Sequence, residues 1–214
     1  SLLAAFAQGV ILGALVQGLP MQDGQYSGGA FGWFSPFSML TGVAVVTGYA
    51  LLGSTWLILK TEGREQALAR SLTRPLMVAV IVFMGLVSTW LPFLQSRVME
   101  RWFSDGNFWW LSPVPLLTLA VAVALWRSAM HPRRDLPPFL LTLALFVLGF
   151  VGLVLGMWPY LLPPHLTLWQ AAAPASSLGF SMVGLVLLLP VILGYTVWSY
   201  RVFRGKVTAE TGYH

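Results

Sequence analysis

Cysteine is absent from the 214 residues, which excludes disulfides, thiol catalysis and thiolate metal sites. Charge is nearly as scarce, at 9% of residues against 57% hydrophobic, where a soluble domain carries roughly 25% charged residues. Such a chain cannot cover a globule with polar surface, and lipid is the solvent that tolerates it. Carboxylates and histidines are missing from every long apolar run. All seven acidic residues (Asp23, Glu62, Glu65, Glu100, Asp105, Asp135 and Glu210) fall between or after the runs. Intramembrane carboxylates usually mark ion or proton pathways, so the runs do not read as a self-sufficient pump or antiporter. His131, His165 and His214 also lie outside the runs, whereas a membrane haem draws on an axial His, or Met with His. Met39, Met77, Met84 and Met182 within the runs read as packing residues. No phosphate loop, nucleophile triad or metal-ligand cluster is present.

What is present are six apolar stretches near the length of about 20 residues that a spanning helix needs: 2–19, 37–59, 75–94, 109–126, 136–160 and 176–200. They predict an all-α, polytopic transmembrane helical bundle of about six spans, with residues 1–214 as a single transmembrane domain. Pro36, Pro75, Pro113 and Pro137 sit near expected helix starts, where the missing N–H costs little. Pro190 falls inside the last stretch and predicts a kink there. The first stretch lacks a basic leader and a small-residue cleavage site, so it does not read as a signal peptide. A span without a flanking segment predicts that an N-terminal part of the natural protein precedes it.

The net charge of +5 does not signal nucleic acid, because the basic residues sit between the apolar runs. Lys60, Arg64, Arg70, Arg74, Arg127, Arg133, Arg134, Arg201, Arg204 and Lys206 fall on one side of a six-span layout, and only Arg97 and Arg101 on the other. The positive-inside rule makes the first side cytoplasmic, with loops 60–74 and 127–135 and the C-terminus inside. Tryptophan follows the same layout. Trp56, Trp126 and Trp198 are expected near inner ends, and Trp33, Trp90, Trp102, Trp109, Trp110, Trp158 and Trp169 near outer ends.

Several positions are candidates for close helix packing. Gly9, Gly13 and Gln17 recur at four-residue spacing, as do Gly152 and Gly156. Thr41, Gly48 and Thr55 recur at seven, giving a small, mildly polar stripe. Small faces let helix backbones approach closely in lipid; the same stripe could also line a quinone or gas path. Lys60, Glu62 and Gly63 mark a membrane boundary, with Gly63 suited to a left-handed cap and Lys60 to the helix C-terminus and an anionic leaflet.

The segments WFSPF (33–37), GYALLGSTWLILKTEG (48–63), the late LTLWQAAAPASSL and the closing YRVFRGKVTAETGYH together resemble subunit II of cytochrome bd-type quinol oxidases along the whole chain. The resemblance implies a longer subunit of roughly nine spans, of which this chain is the C-terminal two-thirds. It implies a bacterial plasma (inner) membrane location and a role in aerobic respiratory electron transport. It also implies a partner, subunit I, that carries haems b and d, oxidises quinol and reduces oxygen to water. Subunit II then binds no haem and supports subunit I as a non-catalytic part of a quinol:oxygen oxidoreductase, without activity alone. A small single-span subunit, membrane lipid and a structural quinone are further partners the resemblance admits; nucleic acid is not. The family's acidic and histidine-bearing proton-path motifs lie in its N-terminal part, so none transfers to these residues. Two other readings stay open on the residues alone: a transporter or permease fragment, and a pure assembly scaffold.

Overall fold

The computed structural model describes residues 1–104, 106–131, 134–202 and 205–206. It is a helical bundle with two short hairpins at one end. Helix α1 spans Leu2–Gln17, and a hairpin of β1 (Met21–Gln22) and β2 (Gln25–Tyr26) leads to α2, Pro36–Lys60. Helix α3 runs over Gly63–Leu94, followed by α4 (Ser96–Phe103), α5 (Asn107–Leu111) and α6 (Pro113–Met130). Helix α7 covers Leu136–Met157, a second hairpin pairs β3 (Tyr160–Leu162) with β4 (Leu166–Thr167), and α8 (Leu168–Ala171) precedes α9, Ala175–Val202.

Five helices among the described residues are long and apolar enough to cross a membrane: α2, α3, α5 continued by α6, α7 and α9. The sixth expected span, α1, is apolar but has 16 residues. Gly18, at φ 90°, turns the chain away before Leu19, and Pro20 follows.

Other boundaries shift for local reasons. Residues 63–74, expected as a loop, form the first three turns of α3. A hydropathy reading finds only the membrane-embedded part of a helix, whereas REQALARSL is rich in strong helix formers that need no apolar face. Pro75 therefore stands inside α3, as Pro92 does. Helix α7 stops at Met157 because Trp158 is extended before Pro159. Helix α6 runs on to Met130 and α9 continues through Pro190 to Val202. At the start of α2, Ser35 and Ser38 form a reciprocal cap, with Pro36 in the first helical position.

Helix α2 is central, packing on α1, α3 and α7, while α6 packs on α7 and α3. Leu51, Met77, Val80, Ala122, Leu125 and Leu145 meet in the middle, one or two from each of α2, α3, α6 and α7. The α1–α2 seam is tighter still. Thr41 Oγ1 donates across it to the Gly9 carbonyl at 2.9 Å. A Cβ on Gly9 would fall 2.6 Å from the Thr41 carbonyl oxygen, and one on Gly13 would strike Thr41 Oγ1. On the opposite side of the seam, Gly42 lies under the ring of Phe6. Helix α9 differs from the rest: none of its residues is buried. It meets the bundle near its end, where the Tyr200 ring packs on Trp56 at 5.6 Å.

This seam yields a test. Gly9→Ala must push two backbones apart and should destabilise the folded chain by about 1–3 kcal/mol, as overpacking does. Gly152→Ala should be neutral or stabilising by up to about 1 kcal/mol, because its new methyl meets only Val114, at 3.9 Å. Denaturant titration of both variants in the same detergent should separate them. Equal stability would show that the seam is not close-packed.

Candidate functional site

The charged residues collect at the two ends of the bundle. At one end lie Lys60, Arg64, Arg70, Arg74, Arg127, Arg134, Arg201 and Lys206, around the α2–α3 turn, the α6–α7 turn and the end of α9. Arg133, Arg204, Glu210 and His214 lie outside the described residues, as does Asp105 at the other end. Asp135 is the hub of this basic end. It precedes α7, its Oδ1 lies 2.5 Å from Arg70 of α3, and its Oδ2 lies 2.5 Å from Lys206 beyond α9. Arg70 also donates to the carbonyls of His131 and Arg134, and Lys206 lies 3.8 Å from Glu62. One carboxylate thus ties together elements more than 60 residues apart. Arg70, Asp135 and Lys206 are half-buried, so solvent screens them less than fully exposed pairs.

The expected boundary residues fall beside this cluster. Lys60 closes α2 with its ammonium over the Trp56 ring, 5.2 Å from the centroid. Gly63 is left-handed, at φ 62°, as a cap would require. The helix it serves is α3, which it opens, since extended Thr61 and Glu62 separate it from the end of α2.

The opposite end carries a second polar network. Ser35 Oγ donates to Gln17 Oε1 at 2.5 Å, and Gln95 Nε2 donates to the Gln17 carbonyl. Arg97 donates to Gln95 Oε1 at 3.1 Å and lies over the Tyr160 ring, 4.7 Å from its centroid. Arg101 donates to the Trp158 carbonyl. Burial lowers the pKa of the Arg97 guanidinium, opposed by Tyr160 and reinforced by Arg101. It remains a cation near neutrality, as guanidinium groups do. Gly18 completes the contact, since a Cβ there would meet the Pro163 carbonyl at 2.5 Å.

Of the residues picked out for helix packing, Gly9, Gly13 and Thr41 meet at the α1–α2 seam, and Gln17 closes that seam at its polar end. Gly48 faces α7, where a Cβ would lie 3.1 Å from Phe146. Thr55 is buried and bonds its own helix at the Leu51 and Leu52 carbonyls. Gly152 looks toward Val114 and Gly156 toward Leu91, both at ordinary contact distance. These neighbours all belong to the same chain. The reading missed the Ser54–Thr73 hydrogen bond, 3.1 Å and buried between α2 and α3, and the hubs Asp135 and Gln95.

No group of three His, Cys, Asp or Glu among the described residues could hold a metal. His131 follows α6 at the basic end and His165 sits in the β3–β4 hairpin at the other; both are exposed. A shallow recess of about 360 Å³ lies along α9, lined by Gly179, Met182, Val183, Val186 and Leu187. None of these carries a polar side chain, so the recess offers nothing to orient a quinone head group.

Comparison with known proteins agrees with this architecture. Residues 1–203 match the family described as cytochrome bd terminal oxidase subunit II. The chain is 25% identical to the cytochrome bd-I ubiquinol oxidase subunit 2 of Escherichia coli K12, over 94% of its own length and 62% of that protein. It is 26% identical to the cytochrome bd ubiquinol oxidase subunit 2 of Bacillus subtilis, over 97% and 62%. It is 24% identical to a probable cytochrome oxidase subunit 2 of Haemophilus influenzae, over 96% and 63%. The chain thus spans a little under two thirds of the length of these relatives. A helical bundle with five membrane-crossing helices, matched along 203 of its residues, makes this multi-pass membrane chain a member of the cytochrome bd terminal oxidase subunit II family.

Proposed function

We propose that this chain forms the larger part of the supporting subunit of a quinol-oxidising terminal oxidase in a bacterial plasma membrane. The observation that carries the proposal is the family match over residues 1–203, since relatives that share it are named as subunits of ubiquinol oxidases. The side chains support a role without a redox centre. The spans hold no histidine, and the two described histidines lie exposed at opposite ends. Haems b and d, the quinol chemistry and oxygen reduction are assigned to a partner, subunit I. The present chain contributes a packed scaffold beside it. In this reading its described residues, which offer no metal-holding group, take no electron-transfer step.

The orientation in the proposal places the basic end, with Asp135 and the C-terminus, in the cytoplasm. Eight described basic residues lie at that end against Arg97 and Arg101 at the other, and both of those are engaged with the protein. Basic residues near span ends are retained on the cytoplasmic side.

Two measurements test this reading. Purified in mild detergent, the full-length subunit should bring with it a haem-rich membrane protein, and the complex should show haem absorption bands. Replacing His131 and His165 by Ala together should leave those bands unchanged. A haem-free preparation, or a band lost while the partner stays bound, would overturn the assignment. For orientation, single cysteines at exposed Ser71 and Gln25 should behave oppositely toward a membrane-impermeant thiol reagent. In intact cells Gln25→Cys should react and Ser71→Cys should not, and the reverse pattern would invert the topology.

A further inference from the structure

The 18 residues between α3 and the body of α6 combine two unusual features. Three of their aromatic side chains face outward: Phe103 is 69% exposed, Trp109 78% and Trp110 87%. Their two cations are engaged by protein groups, Arg97 by Gln95 and Tyr160 and Arg101 by the Trp158 carbonyl, while Glu100 is exposed. A segment covered by water shows the opposite arrangement, with cations out and indoles in.

The level of the segment in the membrane follows from the helices it joins. Pro75–Leu94 of α3 is 20 residues, about 30 Å, the thickness of the hydrocarbon core. The segment therefore starts where that core ends. Arg101 is bonded to the residue just after α7, and Arg97 lies on the next strand, so α4 is held at the level where α7 leaves the core. Helix α5 continues into α6 through helical Ser112, giving a 24-residue run over Asn107–Met130, about 36 Å. With Arg127 at the opposite boundary, a 30 Å core reaches to within a turn of Trp109 and Trp110. The start of the segment at Gln95 and the Trp109–Trp110 pair near its end thus both fall at the boundary of the core.

We infer that α4 and the outer end of the α5–α6 span, with Phe103, Trp109 and Trp110, form an anchor embedded at the head-group boundary of the leaflet at this end, and that phospholipid covers them. Indole and phenyl rings are favoured at that depth, and an amphipathic helix lying in the interface buries its apolar side a few ångströms into the acyl region. Because both cations are held by protein groups, the anchor recognises the apolar boundary of any phospholipid rather than anionic head groups. The inference rests on the spans and does not depend on the oxidase reading.

The lack of cysteine in these residues suits the test. Spin labels are placed one at a time at Phe103→Cys, Trp109→Cys and Trp110→Cys, with Gln25→Cys on the exposed β1–β2 hairpin as the water reference. The full-length protein is reconstituted with its natural partners in nanodiscs, with other cysteines replaced or blocked. Collision with oxygen and with a nickel chelate is then measured. The three labels should favour oxygen over nickel several-fold more than the Gln25 label does, equally in zwitterionic lipid and with anionic lipid added. Nickel access matching Gln25 would mean that water covers the segment. Access to neither reagent would mean that a protein partner covers it. A shift in depth on adding anionic lipid would show that the cations are free to reach head groups. Any of the three overturns the inference, and the labels at three positions keep it testable if one variant fails to assemble.

Discussion

The approach of α1 to α2 is the contact on which the arrangement depends. Lipid tails are as apolar as leucine, so nothing expels these helices from their surroundings into each other. What holds them is contact close enough for dispersion and for a hydrogen bond in a dry medium. The glycines remove the atoms that would keep the backbones apart, and Thr41 uses the space to reach the Gly9 carbonyl. Because α2 also carries α3 and α7, the position of this one helix sets the positions of the others.

The bundle separates its two kinds of adhesion by depth. In the middle, Leu51, Leu125 and Leu145 meet side chain to side chain, and the hydroxyls of Ser54 and Thr55 beside them are satisfied within their own helix. At the ends, where water lowers the cost of charge, distant segments are tied by side chains with several partners each. Asp135 gathers the end of α9, the start of α7 and α3. Gln95 and Gln17 do the same for α1, α2 and α4. A partner removed from either hub would leave several groups unmatched, so these ends are cooperative in a way the leucine centre is not.

Much of this was legible in the sequence because the solvent dictates it. A helix must satisfy its own backbone in lipid, so long apolar runs announce helices and their rough ends. The spacing of Gly9 and Gly13 announced a close approach, although not that its partner would be Thr41. Features outside the lipid were less legible. Residues 63–74 are helical because of local propensity, which hydropathy ignores, and α1 ends early because Gly18 turns left-handed. The pairing of Arg70 with Asp135, or of Gln95 with Gln17, bridges 65 and 78 residues. No periodicity encodes such a pair, since only the folded bundle brings the two ends together.

Helix α9 buries none of its 28 residues, and in water a helix so poorly supported would melt. In a bilayer the opposite holds. Its amide groups have no other partner than one another, so its coil form is inaccessible whatever it touches. Its secondary structure and its docking are therefore independent quantities. Amide exchange along α9 would stay slow even if the helix swung free of the rest of the chain, and exchange protection would report the presence of the membrane rather than the integrity of the fold.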